Sequence, residues 1–232
     1  MRYLEVNLDP FITLNRVAHQ ALSHPLHLLG YIEATGVAGL SFTYYPEVGE
    51  IINVPAIRAA THCRLNIRAN ADFQSIQRTM QLKPDFITIV NVNAVSQVFD
   101  ARDANARDLI ETIQSAQDFN LILRLAPDIN QLRAAYRLKV DEVEIATDDL
   151  ALQDTHLNFT AALDQLVHVI RVGQKNRLRV SIGGNLDARI IRSILQLVEV
   201  EFISIGRALL AQALVRGFGN ALQDFVTLTE NI

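Results

Sequence analysis

The stretch RVSIGGNLDARIIRSILQLVEVEFISIGRALL, residues 179–210, decides the fold. It holds two short β-prone runs, Arg179–Ile182 and Phe202–Ile205, and each run ends in a glycine turn. A helical segment lies between the two runs. A strand, a helix and a second strand in this order predict two parallel strands joined by a right-handed crossover. The stretch therefore predicts an α/β fold.

The same unit recurs along the whole chain, because short β-prone runs alternate with segments of helical periodicity. Eight such units favour a (β/α)₈ TIM barrel over an open sheet, and 232 residues fit one barrel. We therefore expect residues 1–232 to form a single barrel domain, with the stretch Ala208–Leu228 as one closing helix. The predicted strands are Tyr3–Leu8, Gly39–Thr43, Leu65–Arg68, Phe86–Val90, Leu121–Leu125, Glu142–Ala146, Arg179–Ile182 and Phe202–Ile205.

Charge and cysteine content narrow the function. The net charge is -4, and no basic stripe is present to neutralise a nucleic-acid backbone, so we expect no nucleic-acid partner. Cys63 is the single cysteine, which excludes an internal disulfide framework and suits a reducing cytosol. The chain opens on a predicted strand, and it contains no run of about 18 apolar residues. We therefore expect a cytoplasmic protein without a membrane partner.

Polar residues occupy positions where a barrel interior is usually apolar. Side chains alternate along a strand, and one parity points into the barrel. This parity places Glu5, Asn7 and Asp9 of the first strand inside, and it also places Arg68, Arg124 and Glu144 there. One interpretation is a paired interior network, Glu5 and Glu144 against Arg68 and Arg124, because buried charges must be paired. The other is a functional site, since function in these barrels lies at the C-terminal ends of the strands.

The glycine turns after the last two strands predict a phosphate site. The turns run Gly183-Gly184-Asn185-Leu186 and Gly206-Arg207-Ala208-Leu209. Loops at these two places, with the N-terminus of a short helix, commonly bind phosphate in such barrels. Glycine lets backbone N–H groups approach an anion, and Arg207 could add a charge-assisted contact. The alternative is that the glycines only form tight turns.

Other chemistries have little support in the sequence. Lys83, Lys139 and Lys175 all precede strands, at the end of the barrel opposite the expected site, so a Schiff-base lysine is not expected. The carboxylates expected near the site show no ligand spacing that demands a metal, and we expect none. They are Asp9, Glu47, Glu50, Asp148 and Asp149. Asp148 and Asp149 are expected to cap a helix. His19 and His156 are expected in loops at this end of the barrel and are interpreted as solvated.

Five segments, in order along the chain, resemble the pyridoxine 5'-phosphate synthase family. They are Met1–Asp9 with Thr13-Leu14, Lys83–Val90, Val143–Ile145, the Gly183 turn and Ile203–Leu209. The resemblance implies a (β/α)₈ fold, a cytoplasmic homo-oligomer and no metal or organic cofactor. It also implies condensation of 1-deoxy-D-xylulose 5-phosphate with 3-amino-2-oxopropyl phosphate, a step of vitamin B6 synthesis.

The resemblance is weak at the positions to which it assigns catalysis. It keeps Asn7, Asp9 and Gly206, but it implies histidines at Thr43 and Gly184 and a glutamate at Arg68. It also implies different residues at Pro10, Tyr45, Glu50 and Arg207. General acid–base catalysis needs groups that exchange protons near neutral pH, and threonine, glycine and arginine do not.

Three functions remain open. The first is a divergent barrel, a pseudoenzyme candidate, that binds a phosphorylated small molecule with little or no synthase activity. Its binding residues would be Asn7, Asp9, Gly183, Gly184, Asn185, Gly206 and Arg207. The second is an active enzyme that condenses or transforms sugar phosphates with rearranged residues. The third is a non-catalytic partner subunit of a genuine synthase.

Overall fold

A computed structural model describes residues 3–18, 25–45, 53–115 and 119–230. Eight parallel strands close into a barrel in the order β1 to β8, with β1 paired to β8, so the predicted barrel is confirmed. The strands are β1 Tyr3–Asn7, β2 Gly39–Thr43, β3 Arg64–Asn70, β4 Phe86–Val90, β5 Asn120–Leu125, β6 Glu142–Ala146, β7 Arg179–Gly183 and β8 Phe202–Ile205.

Helices follow the strands and surround the barrel. In the described residues they are α1 Asp9–Ala18, α2 Pro25–Thr35, α3 Val54–Ala60, α4 Phe73–Met80, α5 Ala106–Gln114, α6 Ile129–Arg137, α7 His156–Lys175, α8 Ala188–Leu195, α9 Arg207–Arg216 and α10 Phe218–Glu230. None of them is both long and apolar enough to cross a lipid bilayer.

The apolar core lies between the barrel wall and the helices. Outward-facing strand residues such as Leu40, Ile67 and Ile87 are fully buried there. The helices contribute one apolar face each; in α8 it includes Ile190 and Ile194, which are also buried. The strand residues of opposite parity face the inside of the barrel, and many of them are polar, such as Asn66, Arg68 and Glu144.

Side-chain caps fix where several helices begin. The carboxylates of Asp72, Asp128 and Asp187 accept backbone N–H bonds at the starts of α4, α6 and α8, and Thr155 does the same for α7. These caps satisfy N–H groups that a helix start otherwise leaves without partners. The start of α9 at Gly206 has no such side-chain cap.

The sequence prediction is wrong about the last helical stretch and about Asp9. The stretch Ala208–Leu228 is not one helix, because Gly217 adopts φ +80° and separates α9 from α10. That conformation is left-handed and ends a right-handed helix. Asp9 is not a strand residue; it is the first residue of α1, and β1 ends at Asn7.

Candidate functional site

A cavity of about 530 Å³ opens where the strands end. It is lined by the ends of β1, β3, β5 and β8, by the starts of α1 and α9, and by the loops after β4, β6 and β7. The predicted site residues that line it are Asn7, Asp9, Gly184, Asn185, Gly206 and Arg207. Pro10, Arg68, Arg124 and Asp148, which the sequence prediction also named, line it too. Thr43 and Gly183 are not among the lining residues, but each bonds to one that is.

Asp9 is fixed at one side of the cavity. Its backbone N–H donates to Asn7 Oδ1 at 2.7 Å. Its carboxylate accepts from the Thr43 backbone N–H at 2.6 Å and from the Thr43 hydroxyl at 2.8 Å. Burial raises the pKa of Tyr45, and the negative charge of Asp9 adds to this effect. The prediction that Asn7 and Asp9 lie at the barrel mouth fits this arrangement.

Two guanidinium groups share one buried carboxylate beneath the cavity. Arg68 donates to both oxygens of Glu144, at 3.1 and 2.7 Å, and Arg124 forms a second ion pair with it. Burial alone would raise the pKa of Glu144, but the positive charges of Arg68 and Arg124 outweigh it, and the net direction is downward. Glu144 is therefore an ionised structural partner of the two arginines rather than a proton carrier.

The predicted interior network is only partly correct, because Glu5 forms its ion pair elsewhere. Its carboxylate lies 3.2 Å from Arg64, near the opposite end of the barrel, and also accepts from Asn66. Arg64 additionally pairs with Glu142 at 3.2 Å and stacks between the rings of Phe86 and Phe202. Arg64 begins β3 one residue before the predicted strand, so the sequence prediction did not count it as an interior residue.

Asp148 is not the helix cap that its position suggests. It begins a short 3₁₀ turn, Asp148–Leu152, for which no side-chain cap bond forms. Its carboxylate instead accepts from Arg124 and, at 3.0 Å, from Arg207 of α9. The carboxylate therefore links the barrel interior to the rim, where Arg207 is 64% exposed.

The turn after β7 is shaped by Asp148. Gly184 has φ +112° and Asn185 has φ +50°, so two consecutive residues are left-handed. A Cβ atom at position 184 would overlap the Asp148 carboxylate and lie 2.7 Å from Arg124 Nη2. A histidine, which the family resemblance implies at this position, would therefore displace the Asp148 carboxylate.

The loop after β4 supplies residues that the sequence prediction missed. Ser96 and Gln97 line the cavity with φ of +60° and +52°, and the Ser96 carbonyl accepts from Arg124 Nε at 2.8 Å. Neither residue type favours this conformation, so no local signal points to them. His156 begins α7 and is exposed. Residues His19, Glu47 and Glu50 lie outside the described residues.

The family comparison covers almost the whole chain. Residues 4–231 match the family model described as pyridoxal phosphate biosynthesis protein PdxJ. The chain is 25% identical over 238 residues to pyridoxine 5'-phosphate synthase of Geotalea uraniireducens strain Rf4, covering 99% of each protein. It is 23% identical to the synthase of Geobacter sulfurreducens, again over 99% of each.

Solved structures are similar in fold. N-(5'-phosphoribosyl)anthranilate isomerase from Pyrococcus furiosus superposes with a TM-score of 0.65 at 12% identity, over 100% of both chains. The 3-hexulose-6-phosphate synthase from Salmonella typhimurium has a TM-score of 0.63 at 14% identity, over 99% of this chain and 100% of that one. At such identities the likeness concerns the barrel alone.

Proposed function

This chain belongs to the pyridoxal phosphate biosynthesis protein PdxJ family, and from that premise we propose that it binds a phosphorylated small molecule at the barrel mouth with little or no pyridoxine 5'-phosphate synthase activity. The proposal has two parts, an anion site that is kept and a set of proton carriers that is lost. Each part depends on different residues.

The proposed anion site rests on the start of α9, which has no side-chain cap. Gly206 directly precedes this helix at the cavity and gives it no side-chain cap, whereas α4, α6, α7 and α8 are all capped. Free N–H groups and the helix dipole favour an anion at such an end. Arg207, the first residue of α9, lies beside them with most of its side chain exposed. The turn at Gly184 and Asn185 borders the same cavity, so its backbone could approach the anion as well.

The proposed loss of synthase activity rests on the residues at positions 43, 68 and 184. Thr43 is buried and donates to Asp9. Arg68 is held by Glu144 and stays protonated. Gly184 has no side chain, and Asp148 fills the adjoining space. Losing three proton carriers, each worth roughly 10²–10⁴-fold, would nearly abolish a multistep condensation.

A second candidate function is a different transformation of a phosphorylated compound. Asp9 and Asp148 both line the cavity and carry carboxylates, which are general acid–base groups in many enzymes. Each carboxylate is already held by two hydrogen bonds, Asp9 by Thr43 and Asp148 by two arginines. That arrangement favours binding over proton transfer, so we place this candidate second.

Calorimetric titration with inorganic phosphate at fixed ionic strength tests the anion site. Arg207→Gln should weaken binding by about tenfold or more, because a charge-assisted hydrogen bond contributes roughly 1.5–3 kcal/mol. The matched control is Arg216→Gln, which removes an arginine at the opposite end of the same helix. Arg216 pairs with Asp224 and does not line the cavity. Equal affinities for all three proteins, or no binding by any of them, would contradict the proposed site.

A further inference from the structure

We propose that the phosphorylated ligand also carries a carboxylate, bound at the inner wall of the cavity by Arg68 and Ser204. The inference rests on the proposed function, since it takes the phosphate at α9 as given. It adds the chemical class of the ligand, a phosphorylated carboxylic acid. Three observations lead to it.

The first observation is an unsatisfied donor on Arg68. The side chain lines the cavity and is only 3% exposed. Its two Nη atoms bond to Glu144 and Ser204, but the buried Nε has no hydrogen-bond partner. A buried guanidinium N–H without an acceptor is unfavourable, and few native groups remain so. The inner wall therefore lacks one acceptor, and a ligand carboxylate bound there would supply it.

The second observation is that the arginines line the cavity and the carboxylate they share does not. Glu144, the counter-ion that Arg68 and Arg124 share, is not among the residues that line the cavity, whereas both arginines are. Asp148 balances Arg124 but is also the partner of Arg207. Together, the three arginines at 68, 124 and 207 and the two acids, Glu144 and Asp148, have a net charge of one positive unit. Asp9 balances this charge from nearby, because its hydrogen-bond partner Thr43 pairs with Arg68 in the sheet. In the described residues, however, no hydrogen bond joins Asp9 to Arg68.

The third observation is the hydroxyl of Ser204. Its oxygen accepts from Arg68 Nη2 at 3.2 Å, so its own proton is free to donate. Ser204 and Arg68 thus present two donors side by side on the inner wall. A carboxylate matches such a pair because it accepts hydrogen bonds and carries the opposite charge. An ammonium group at the same place would meet a permanent cation and offer no acceptor.

Three phosphate monoesters that differ only at one end distinguish these cases. They are 3-phosphoglycerate, glycerol 3-phosphate and 3-amino-2-hydroxypropyl phosphate, which end in a carboxylate, a hydroxymethyl and an aminomethyl group. Calorimetry should give 3-phosphoglycerate the highest affinity, about tenfold or more above glycerol 3-phosphate, with the amine weakest. Equal affinities, or tightest binding of the amine, would overturn the inference while leaving the phosphate site standing. No binding of any ester or of inorganic phosphate would overturn both.

A paired variant tests Arg68 itself. Arg68→Gln with Glu144→Gln removes both charges of the buried pair together, and Arg124 keeps Asp148 as its partner. Circular dichroism first establishes that the variant is folded. In the folded variant, 3-phosphoglycerate should lose about tenfold in affinity and glycerol 3-phosphate less than about threefold. Equal losses for both esters would contradict a role for Arg68 at the carboxylate. If the variant does not fold, the comparison of the three esters on the unmodified protein decides alone.

Discussion

The carboxylate of Asp148 occupies the space that a side chain at position 184 would enter. A Cβ atom built on Gly184 overlaps that carboxylate, and the backbone there is left-handed with φ +112°. Asp148 is itself held by Arg124 and Arg207, so moving its carboxylate aside would break these two ion pairs. The two positions are therefore coupled, because a side chain at 184 would displace the Asp148 carboxylate from its arginine partners.

Gly184→Ala should destabilise the protein more than an ordinary glycine replacement. Gly36→Ala is the matched control, because Gly36 also has positive φ but open space around it. The control should cost about 1–2 kcal/mol for left-handed backbone alone. Gly184→Ala should cost roughly 1–3 kcal/mol more, because overpacking adds to the backbone term. Chemical denaturation measures both variants.

The same pair can be tested for coupling. In an Asp148→Ala background the extra cost of Gly184→Ala should shrink, since the overlapping carboxylate is gone. If the cost is unchanged in that background, or if Gly184→Ala and Gly36→Ala are equal in the unmodified protein, Asp148 does not restrict position 184.

Glu144→Gln should destabilise the barrel strongly at neutral pH. The change leaves Arg68 and Arg124 buried with a neutral partner, and breaking a buried ion pair typically costs about 3–5 kcal/mol. Glu111→Gln removes an exposed partner of Arg107 and should change stability by less than about 0.5 kcal/mol. Urea unfolding at pH 7 compares the two. Similar effects would mean that the interior cluster contributes no more than a surface pair.

The pH dependence of stability should also change in Glu144→Gln. The pKa of Glu144 lies below its ordinary value of 4.5 in the folded protein, so folding favours the ionised form. The ionised Glu144 carboxylate therefore contributes to the free energy of unfolding above pH 4.5. This contribution is lost as the pH falls from 4.5 through the lower pKa of the folded protein. The pKa values of Glu33, Asp72 and Asp100 are also lowered and act in the same direction.

The stability of Glu144→Gln should therefore fall less steeply below pH 4.5 than that of the unmodified protein. Glu111→Gln should keep the original slope. Unfolding midpoints measured in steps from pH 7 to acid give the comparison. An unchanged slope in Glu144→Gln would show that this carboxylate is not stabilised by folding.

The strands could be predicted from sequence because their signals are local. Gly39–Thr43, Phe86–Val90, Glu142–Ala146 and Phe202–Ile205 have the predicted bounds, since each is a short β-prone run between breakers. The division of the last helical stretch was missed, although Gly217 stands in it. Glycine lowers helix propensity without requiring a break, and only its observed φ of +80° shows that it ends α9.

The ion pairs of the site could not be predicted in the same way. Asp148 looks like a helix cap from its neighbours, but its partner Arg207 is 59 residues away in sequence. Parity placed Glu5 in one network with Arg68 and Arg124, yet its ion pair is with Arg64. Pairing inside a barrel depends on the depth of each side chain as well as on its parity, and a single sequence gives depth only approximately.

Synthase turnover tests the central claim most directly. The purified protein and the synthase of Geotalea uraniireducens would receive 1-deoxy-D-xylulose 5-phosphate and 3-amino-2-oxopropyl phosphate at high concentration, with pyridoxine 5'-phosphate followed by mass spectrometry. We expect turnover lower by several orders of magnitude, because each lost proton carrier is worth roughly 10²–10⁴-fold. Turnover within about tenfold of the relative would contradict the account, since at least one such contribution would then have been replaced by other groups.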